Sequence, residues 1–321
     1  MSMPTCSVIL PNYNHAQFLP RQLTALLAQS VPPLEIIVVD DASTDNSVEV
    51  IERFAREHAS VRLIRSETNQ GVVAGMNRGT ELARGDYVLF AAADDEVLPG
   101  LLEKSLRLLA QHPRAALCCT IGDWREERTG LRWMMGVGMA DAPCFLAPEQ
   151  MVALEKRGRL YIASHTAVIR RSALIEVGKW LPELKWYCDW FAIYCAAFRH
   201  GICHVPEPLA AFNIHEASFY TSGRRTPAAH REVLENLLRH LNRPEFRDAE
   251  ERIRASGAMY QFAWPLLKLL LSRREYRRYL TAPFVRKNVL HIFRLLMKRV
   301  LPAWLGNLYL RLFFHAKPTP A

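Results

Sequence analysis

Residues 85–99 read GDYVLFAAADDEVLP, and no other stretch limits the fold of this chain so tightly. An apolar run over 87–93, too short for most helices, stops at two adjacent carboxylates, Asp94 and Asp95. A buried central strand of an open α/β sheet has this form, and ligands of such sheets lie outside the carboxyl ends of the strands. Neighbouring aspartates at a buried strand end repel each other unless a cation lies between them. A divalent metal bridging to phosphate is one resolution. The plainer reading is helix capping, with Asp95 as N-cap of a helix that starts near Pro99 and runs through Leu109.

The residues before this stretch repeat one pattern. Apolar runs at 6–10, 34–39 and 61–64 are each followed by a turn-forming cluster and then by a helical spacing of apolar side chains: Phe18, Leu19, Leu23, Leu26 and Leu27 in the first helix, Val48, Ile51 and Phe54 in the second. A third helix is expected over 72–83. Four alternations with short polar connections predict a doubly wound, mainly parallel α/β sheet. Asn12 and Asn14, then Asp40, Asp41 and Ser43, then Asp94 and Asp95 follow the first, second and fourth strands. In a parallel sheet these ends share one edge, so the polar residues converge on one crevice. The chain has no GxGxxG after the first strand and no GxxxxGK[ST]. Dinucleotide and P-loop chemistry therefore lack their phosphate cradles, and a bound pyrophosphate would need carboxylate-held metal.

Beyond the central strand, residues 115–120 read as a further strand and 121–148 as an irregular covering loop rich in Gly, Trp and Met. Residues 161–169 read as a strand carrying Ser164 and His165, and 170–177 as a short helix. The aromatic segment 185–201, KWYCDWFAIYCAAFRHG, reads as one helix with Asp189 in its first turn. Asp189 is either a helix-start residue favoured by the macrodipole or, among Trp186, Tyr187, Trp190 and Phe191, a carboxylate raised toward general-base use. Residues 204–211 form the last strand, and His215 stands in the polar loop after it.

Seven cysteines without a CxxC pair read as reduced core thiols of a cytosolic protein, and argue against structural zinc. No basic-then-apolar signal precedes the first strand, and no apolar run is long enough to cross a bilayer. Charge is uneven. Residues 224–321 hold 20 Lys and Arg against 7 Asp and Glu, a surplus of 13, so the first 223 residues carry −4 of the whole-chain +9. The carboxylate-lined part is thus not basic, which argues against nucleic acid as its substrate. The tail carries helical patterns only, with a kink expected at Pro265. It interleaves Arg and Lys with aromatic residues, as an amphipathic segment on an anionic membrane does; a helical appendage packed on the core is the alternative. Two regions follow, 1–223 and 224–321.

The blocks SVILPNYN (7–14), EIIVVDDASTDNS (35–47) and NQGVVAGMNRGTELARGDYVLFAAADD (69–95), with the later Asp189 and His215, together resemble family 2 glycosyltransferases. Members of that family are inverting GT-A-fold enzymes that use nucleotide-diphospho-sugars. The resemblance implies that Pro11, Asn12 and Tyr13 line the nucleotide pocket, that Asp40 meets the base with Asp41 and Ser43 beside it, and that Asn69, Gly71 and Asn77 shape the wall. It makes Asp94 and Asp95 the end of the Asp-x-Asp segment for ribose and metal, His215 a further ligand of a Mg²⁺ or Mn²⁺ ion, and Asp189 the base. It also implies a glycan or polyprenyl-linked acceptor, bacterial surface polysaccharide synthesis, and a peripheral place on the inner face of the cell membrane. The family commonly has Asp two residues before Asp94, where this chain has Ala92, which leaves Asp94 and Asp95 to do more alone, or with His215. A nucleotidyltransferase and a non-catalytic sugar-nucleotide-binding scaffold are the competing classes.

Overall fold

The computed structural model describes residues 3–214, 226–300 and 317–318, except for the side chains of 294–300 and 317–318. Strands β1 (Cys6–Asn12), β2 (Glu35–Asp40), β3 (Val61–Arg65) and β4 (Tyr87–Phe90) run parallel in the order β3-β2-β1-β4. Helices α1 (Leu19–Leu27), α2 (Ser47–Glu57) and α3 (Val72–Leu82) make the crossovers. All of β2 and β4 is buried, which is why both read as unbroken apolar runs. Side chains alternate between the faces: Val8, Leu10, Ile36 and Val38 meet α1 and α2, while Ile9, Ile37 and Val39 point the other way. On that second face α3 lies very close to β1. A Cβ added at Gly79 would stand 2.3 Å from Ile9 Cγ2, so only glycine fits there.

The other half extends the sheet. Strand β6 (Leu117–Glu126) lies beside β9 (Val168–Arg170), which runs antiparallel between β4 and β6. Strand β10 (Ile202–Ile214) is parallel to β6. Short antiparallel strands complete it: β5 (Glu96–Val97) and β8 (Cys144–Leu146) on β10, and β7 (Leu131–Met135) on β6. The sheet is thus mixed but mainly parallel, as expected from the alternation.

Several expectations need correction. Residues 121–148 are not an irregular loop, since they hold the end of β6, β7 and β8. Of 161–169 only the end is strand; Ser164–Thr166 forms a single 3-10 turn. The aromatic helix is two pieces, a 3-10 segment Pro182–Tyr187 and α7 (Cys188–His200), broken at Lys185 with φ 46° and ψ −119°. Helix α4 (Leu101–Gln111) is entered through Gly100 at φ 87°, without a side-chain cap, so Asp95 does not cap it.

Helix α5 (Pro148–Lys156) and α6 (Arg171–Glu176) lie near α7, and the C-terminal helices add to the same layer. These are α8 (Pro227–Leu241), α9 (Arg247–Ser256), α10 (Ala263–Ser272) and α11 (Ala282–Val300). Val233, Leu234, Leu237, Leu238, Phe246 and Ile253 share one apolar core with Phe191 and Phe198 of α7. Pro265 does not kink a helix: it stands in the first turn of α10, where a missing N–H costs nothing, and the chain breaks instead at Ala263, with φ 48°. The tail is not wholly helical either, for β11 (Lys317–Pro318) pairs with β7. The expected boundary at 223 falls in 215–225, outside the described residues, and so does His215. Among the described residues no helix is long and apolar enough to cross a membrane. All seven cysteines are free, and six of them are buried.

Candidate active site

The crevice begins where β1 and β2 end side by side, Asn12 opposite Asp40. Asn12 Nδ2 donates to Asp40 Oδ2 at 2.8 Å and to Ser43 Oγ at 3.2 Å. Ser43 donates its N–H to Asp40 Oδ1 at 3.0 Å and its hydroxyl to Oδ2 at 2.6 Å. Closing this ring forces Ala42 to φ 61°, a conformation that costs a non-glycine residue free energy and persists only where its surroundings impose it. Asn14, also left-handed at φ 56°, donates its N–H to Ser43 Oγ and accepts from the Thr44 N–H, at 2.9 and 2.8 Å. Asp41 is turned the other way. Its two oxygens accept from the Gln70 and Gly71 amides at 2.9 and 2.7 Å, and Asn69 Oδ1 accepts from Gly71 as well. Gly71 holds φ 87°, so a side chain there would be strained even though the space around it is open.

The acidic residues here build the pocket before they bind anything. What they leave exposed is Tyr13, 44% accessible beside the half-buried Pro11; among the described residues the buried Oδ1 of Asn12 has no partner. A cavity of ≈ 290 Å³ lies behind the loop, bordered by Val39, Arg65, Ser66, Gln70, Gly75 and Arg78. Asn77 does not reach an open wall. It donates to the Trp180 carbonyl at 2.8 Å and accepts from the Trp180 N–H at 3.1 Å, tying α3 to the segment before α7.

After β4 the chain leaves the sheet through Ala91–Ala93 and is held by carbonyl contacts. Gln22 Nε2 donates to Ala92 O at 3.0 Å, Arg21 Nη2 to Asp94 O at 3.0 Å, and Asn213 Nδ2 to Asp94 O at 2.6 Å. Asp95 is only 5% exposed, and its Oδ1 accepts from the Asn213 N–H at 3.1 Å. Burial, and after it the charge of Asp94, push the Asp95 carboxyl well above the ordinary carboxylate range; the Asn213 amide and Arg21 oppose this only in part. A cation beside such a group would favour its ionised form. Among the described residues no three His, Cys, Asp or Glu side chains gather as a metal site. The pair nevertheless suits Mg²⁺ or a like ion, which takes one or two carboxylates from protein and the rest from phosphate and water.

The base candidate reaches the same edge by a topological route. Because β9 is antiparallel to β4, with Leu89 opposite Val168, the turn Ser164–Thr166 before it lies beyond the carboxyl end of β4. Asp189, half-buried in the first turn of α7, accepts a hydrogen bond from the Trp190 N–H at 2.7 Å, and the Ser164 side chain favours its ionised form. Burial raises its carboxyl above the usual range, against the Trp190 amide and the Ser164 side chain, which favour the ionised form. Beside it the ends of β6 and β10 carry an aromatic group, with Trp124 4.8 Å from His165 and 5.5 Å from Phe212 between ring centroids. Burial lowers the His165 imidazole to about 3, which keeps it neutral. The strand ends therefore bring together Asn12, Asp40, Asp41, Ser43, Asp94 and Asp95, with Ser164 and Asp189 on the same edge. Sequence reasoning gave no role to Ser164, Asn213, Arg21 or Gln22. The one signal for Ser164 and Asn213 was a polar residue inside an apolar run.

A doubly wound sheet with carboxylates at its switch edge is the scaffold of the GT-A glycosyltransferases, and solved members superpose on it. Residues 1–349 of the glycosyltransferase TarS of S. aureus, in complex with UDP-GlcNAc, match with a TM-score of 0.62 over 80% of this chain and 72% of that one, at 18% identity. The glycosyl transferase family 2 model matches residues 7–178, more than half of the chain, and the protein belongs to that family. An uncharacterized glycosyltransferase of Haemophilus influenzae is 39% identical over 112 residues, 35% of this chain and 45% of its own length. Another, from Nostoc, is 29% identical over 222 residues, 67% of this chain and 66% of its own. A PGL/p-HBAD biosynthesis glycosyltransferase of Mycobacterium bovis is 33% identical over 134 residues, 41% of this chain and 52% of its own. This chain thus spans about half or less of the length of most of these curated relatives.

Proposed function

We propose that the protein is an inverting glycosyltransferase that moves a sugar from a nucleotide-diphospho-sugar to a hydroxyl of a glycan or polyprenyl-linked acceptor, in the synthesis of a bacterial surface polysaccharide. One observation carries the reading: a carboxylate, Asp189, in the first turn of α7, packed by the Ser164–Thr166 turn beyond the end of β4, the strand that leads into Asp94 and Asp95. The complex of TarS with UDP-GlcNAc supports a nucleotide-sugar donor. In this reading the exposed Tyr13 ring receives the nucleotide base beside Asn12, with Asp40, Asp41 and Ser43 keeping that pocket in shape. The acceptor hydroxyl attacks the anomeric carbon opposite the diphosphate. Its oxygen forms the new C–O bond as the bond to the phosphate oxygen breaks, and Asp189 takes the proton. One in-line displacement inverts the configuration. A Mg²⁺ or Mn²⁺ ion held by Asp95 and His215 would stabilise the charge on the departing diphosphate.

The membrane reading rests on the surplus of positive charge after residue 223 and on exposed apolar side chains there, among them Trp264, Leu271 and Phe293. In this reading residues 224–321 attach the enzyme to the anionic inner face of the cell membrane without spanning it. Asp189→Asn tests the chemistry, because it keeps the shape and removes the basicity. Release of nucleoside diphosphate from a nucleotide-sugar panel is expected to fall by roughly 10²–10⁴ with donor binding retained. A mutant that keeps more than about a tenth of wild-type turnover would place the base elsewhere.

A further inference from the structure

A second polar cavity, of ≈ 560 Å³, is built from α5, α11 and the 3-10 turn Ala258–Phe262, none of which contributes a residue to the crevice at the strand ends. Six cationic or ionisable nitrogen-bearing side chains line it: Lys156, Arg157, Arg159, Arg286, Lys287 and His291. Lys287 is already engaged. It is buried against the buried Glu155, with its ammonium 4.5 Å from the Tyr260 ring centre. The other four Lys and Arg are exposed, and among the described residues none of them pairs with a carboxylate. Arg286 donates to the Lys156 carbonyl, which holds its guanidinium across the end of α5. A helix C-terminus accounts for one or two cations within its last turn. It does not account for Arg159, beyond the helix, or for Arg286 brought in from α11. Four unpaired cations around one cavity repel each other unless an anion is shared among them, and forked guanidinium donors match phosphate geometry.

The same helix carries a second, apolar signal. Val285, Val289, Ile292 and Phe293 recur at i, i+4, i+7 and i+8, one stripe of α11, and are 44%, 58%, 41% and 58% exposed. Leu290, 45% exposed, lines the cavity itself and joins the stripe to the cations. A free sugar phosphate would use the cations and leave the stripe in water. A nucleic acid would need a longer row of cations and no stripe. A phosphate with a hydrocarbon chain uses both.

We propose that this cavity binds the phosphate of an anionic membrane lipid, with the lipid's hydrocarbon lying along the exposed stripe of α11. The proposal rests on the membrane reading above and narrows it from diffuse attraction to one site. The test uses the full chain, inorganic phosphate measured by calorimetry, and phosphatidylcholine vesicles with and without phosphatidic acid. Arg157→Ala with Arg159→Ala removes two exposed cavity cations. Arg273→Ala with Arg274→Ala removes the same charge from exposed positions outside it. Val289→Ser with Phe293→Ser removes the stripe.

The cavity pair is expected to weaken binding to phosphatidic acid vesicles about thirtyfold, as two directed phosphate contacts do, and to abolish binding of inorganic phosphate. The Arg273/Arg274 control is expected to lose less than about threefold, as distant, screened charges do. The stripe pair is expected to lose vesicle binding and keep phosphate binding. Equal losses in the cavity pair and its control would overturn the site and leave general membrane attraction standing. Phosphate binding with vesicle affinity unmoved by the stripe pair would make this a free-phosphate site and overturn the lipid. A wild-type protein that ignores anionic vesicles would overturn the membrane reading and this proposal together.

Discussion

Ser164 is the residue to change first, because it lies beyond the end of β4 and its side chain favours the ionised form of the proposed base. In the folded protein the Ser164 side chain favours the ionised form of Asp189, while burial favours the protonated form and is the larger effect. Ser164→Ala removes the hydroxyl and leaves the burial. A hydrogen bond to a charged acceptor contributes about 1.5–3 kcal/mol, and one pKa unit corresponds to about 1.4 kcal/mol. Part of such a bond survives when the carboxyl is protonated, so the expected rise in the Asp189 pKa is about one unit. A base must be ionised to work, so the acidic limb of the kcat profile should move up by the same amount. Below the limb the rate is then about tenfold lower than wild type, and well above it the two enzymes converge. Ser164→Thr keeps a hydroxyl and should restore the limb. The assay is nucleoside diphosphate release against pH at saturating donor. A limb that stays in place, or moves down, refutes the link between Ser164 and the base. An equal loss at every pH would show that Ser164 only shapes the turn.

Asp95→Ala should weaken nucleoside diphosphate binding about tenfold or more in Mn²⁺ and little in EDTA, since among the described residues its buried carboxylate has one amide and the Arg21 charge to offset its own; equal losses in both conditions would make Asp95 a purely structural residue. The buried pair Glu155–Lys287 should behave as a costly ion pair: Glu155→Leu or Lys287→Met alone should cost about 3–5 kcal/mol in denaturant unfolding, and the two together much less than their sum. Burial raises Glu155 to about 7, so in the folded state it holds its proton more tightly than in the unfolded chain. Its contribution to stability is therefore full below the ordinary carboxylate range and declines as pH rises toward about 7. Glu155→Gln should remove that slope; an unchanged slope would assign it to another group.

The parts of the fold that could be read from the chain are those in which each strand is buried on both faces. β2 and β4 announce themselves as apolar runs, and each ends where the polar crevice begins. Residues 121–148 escaped because their strands lie at a partly exposed edge and carry charges where a buried strand would not. Asp123 sits in β6, fully buried. It is tolerated there because Arg125 Nε approaches at 2.9 Å and Arg132, from β7, at 2.6 Å. That compensation arrives across a hairpin, and a linear reading sees only an aspartate interrupting a strand. The break at Lys185 is hidden for a similar reason, since nothing about a lysine marks a residue at φ 46°.

At the site, residue types were legible and pairings were not. Asp41 reads as a flank of the base pocket, yet both its oxygens hold the Gln70–Gly71 backbone; Asn77 reads as a wall, yet it is spent on Trp180. The C-terminal region shows the same ambiguity on a larger scale. A row such as Val233, Leu234, Leu237, Leu238 and Leu241 has the spacing of a lipid-facing helix and equally of a core helix, because amphipathicity records that a face is covered and not by what. Here that row is buried against α7 and its neighbours, and the exposed apolar stripe belongs to α11. Removing everything after residue 223 would therefore strip the cover from Phe191 and Phe198 as well as the basic charge. A truncated chain that failed to bind vesicles would report a broken core. Membrane contact has to be judged from substitutions on α11, where Val289 and Phe293 can be changed without opening the interior.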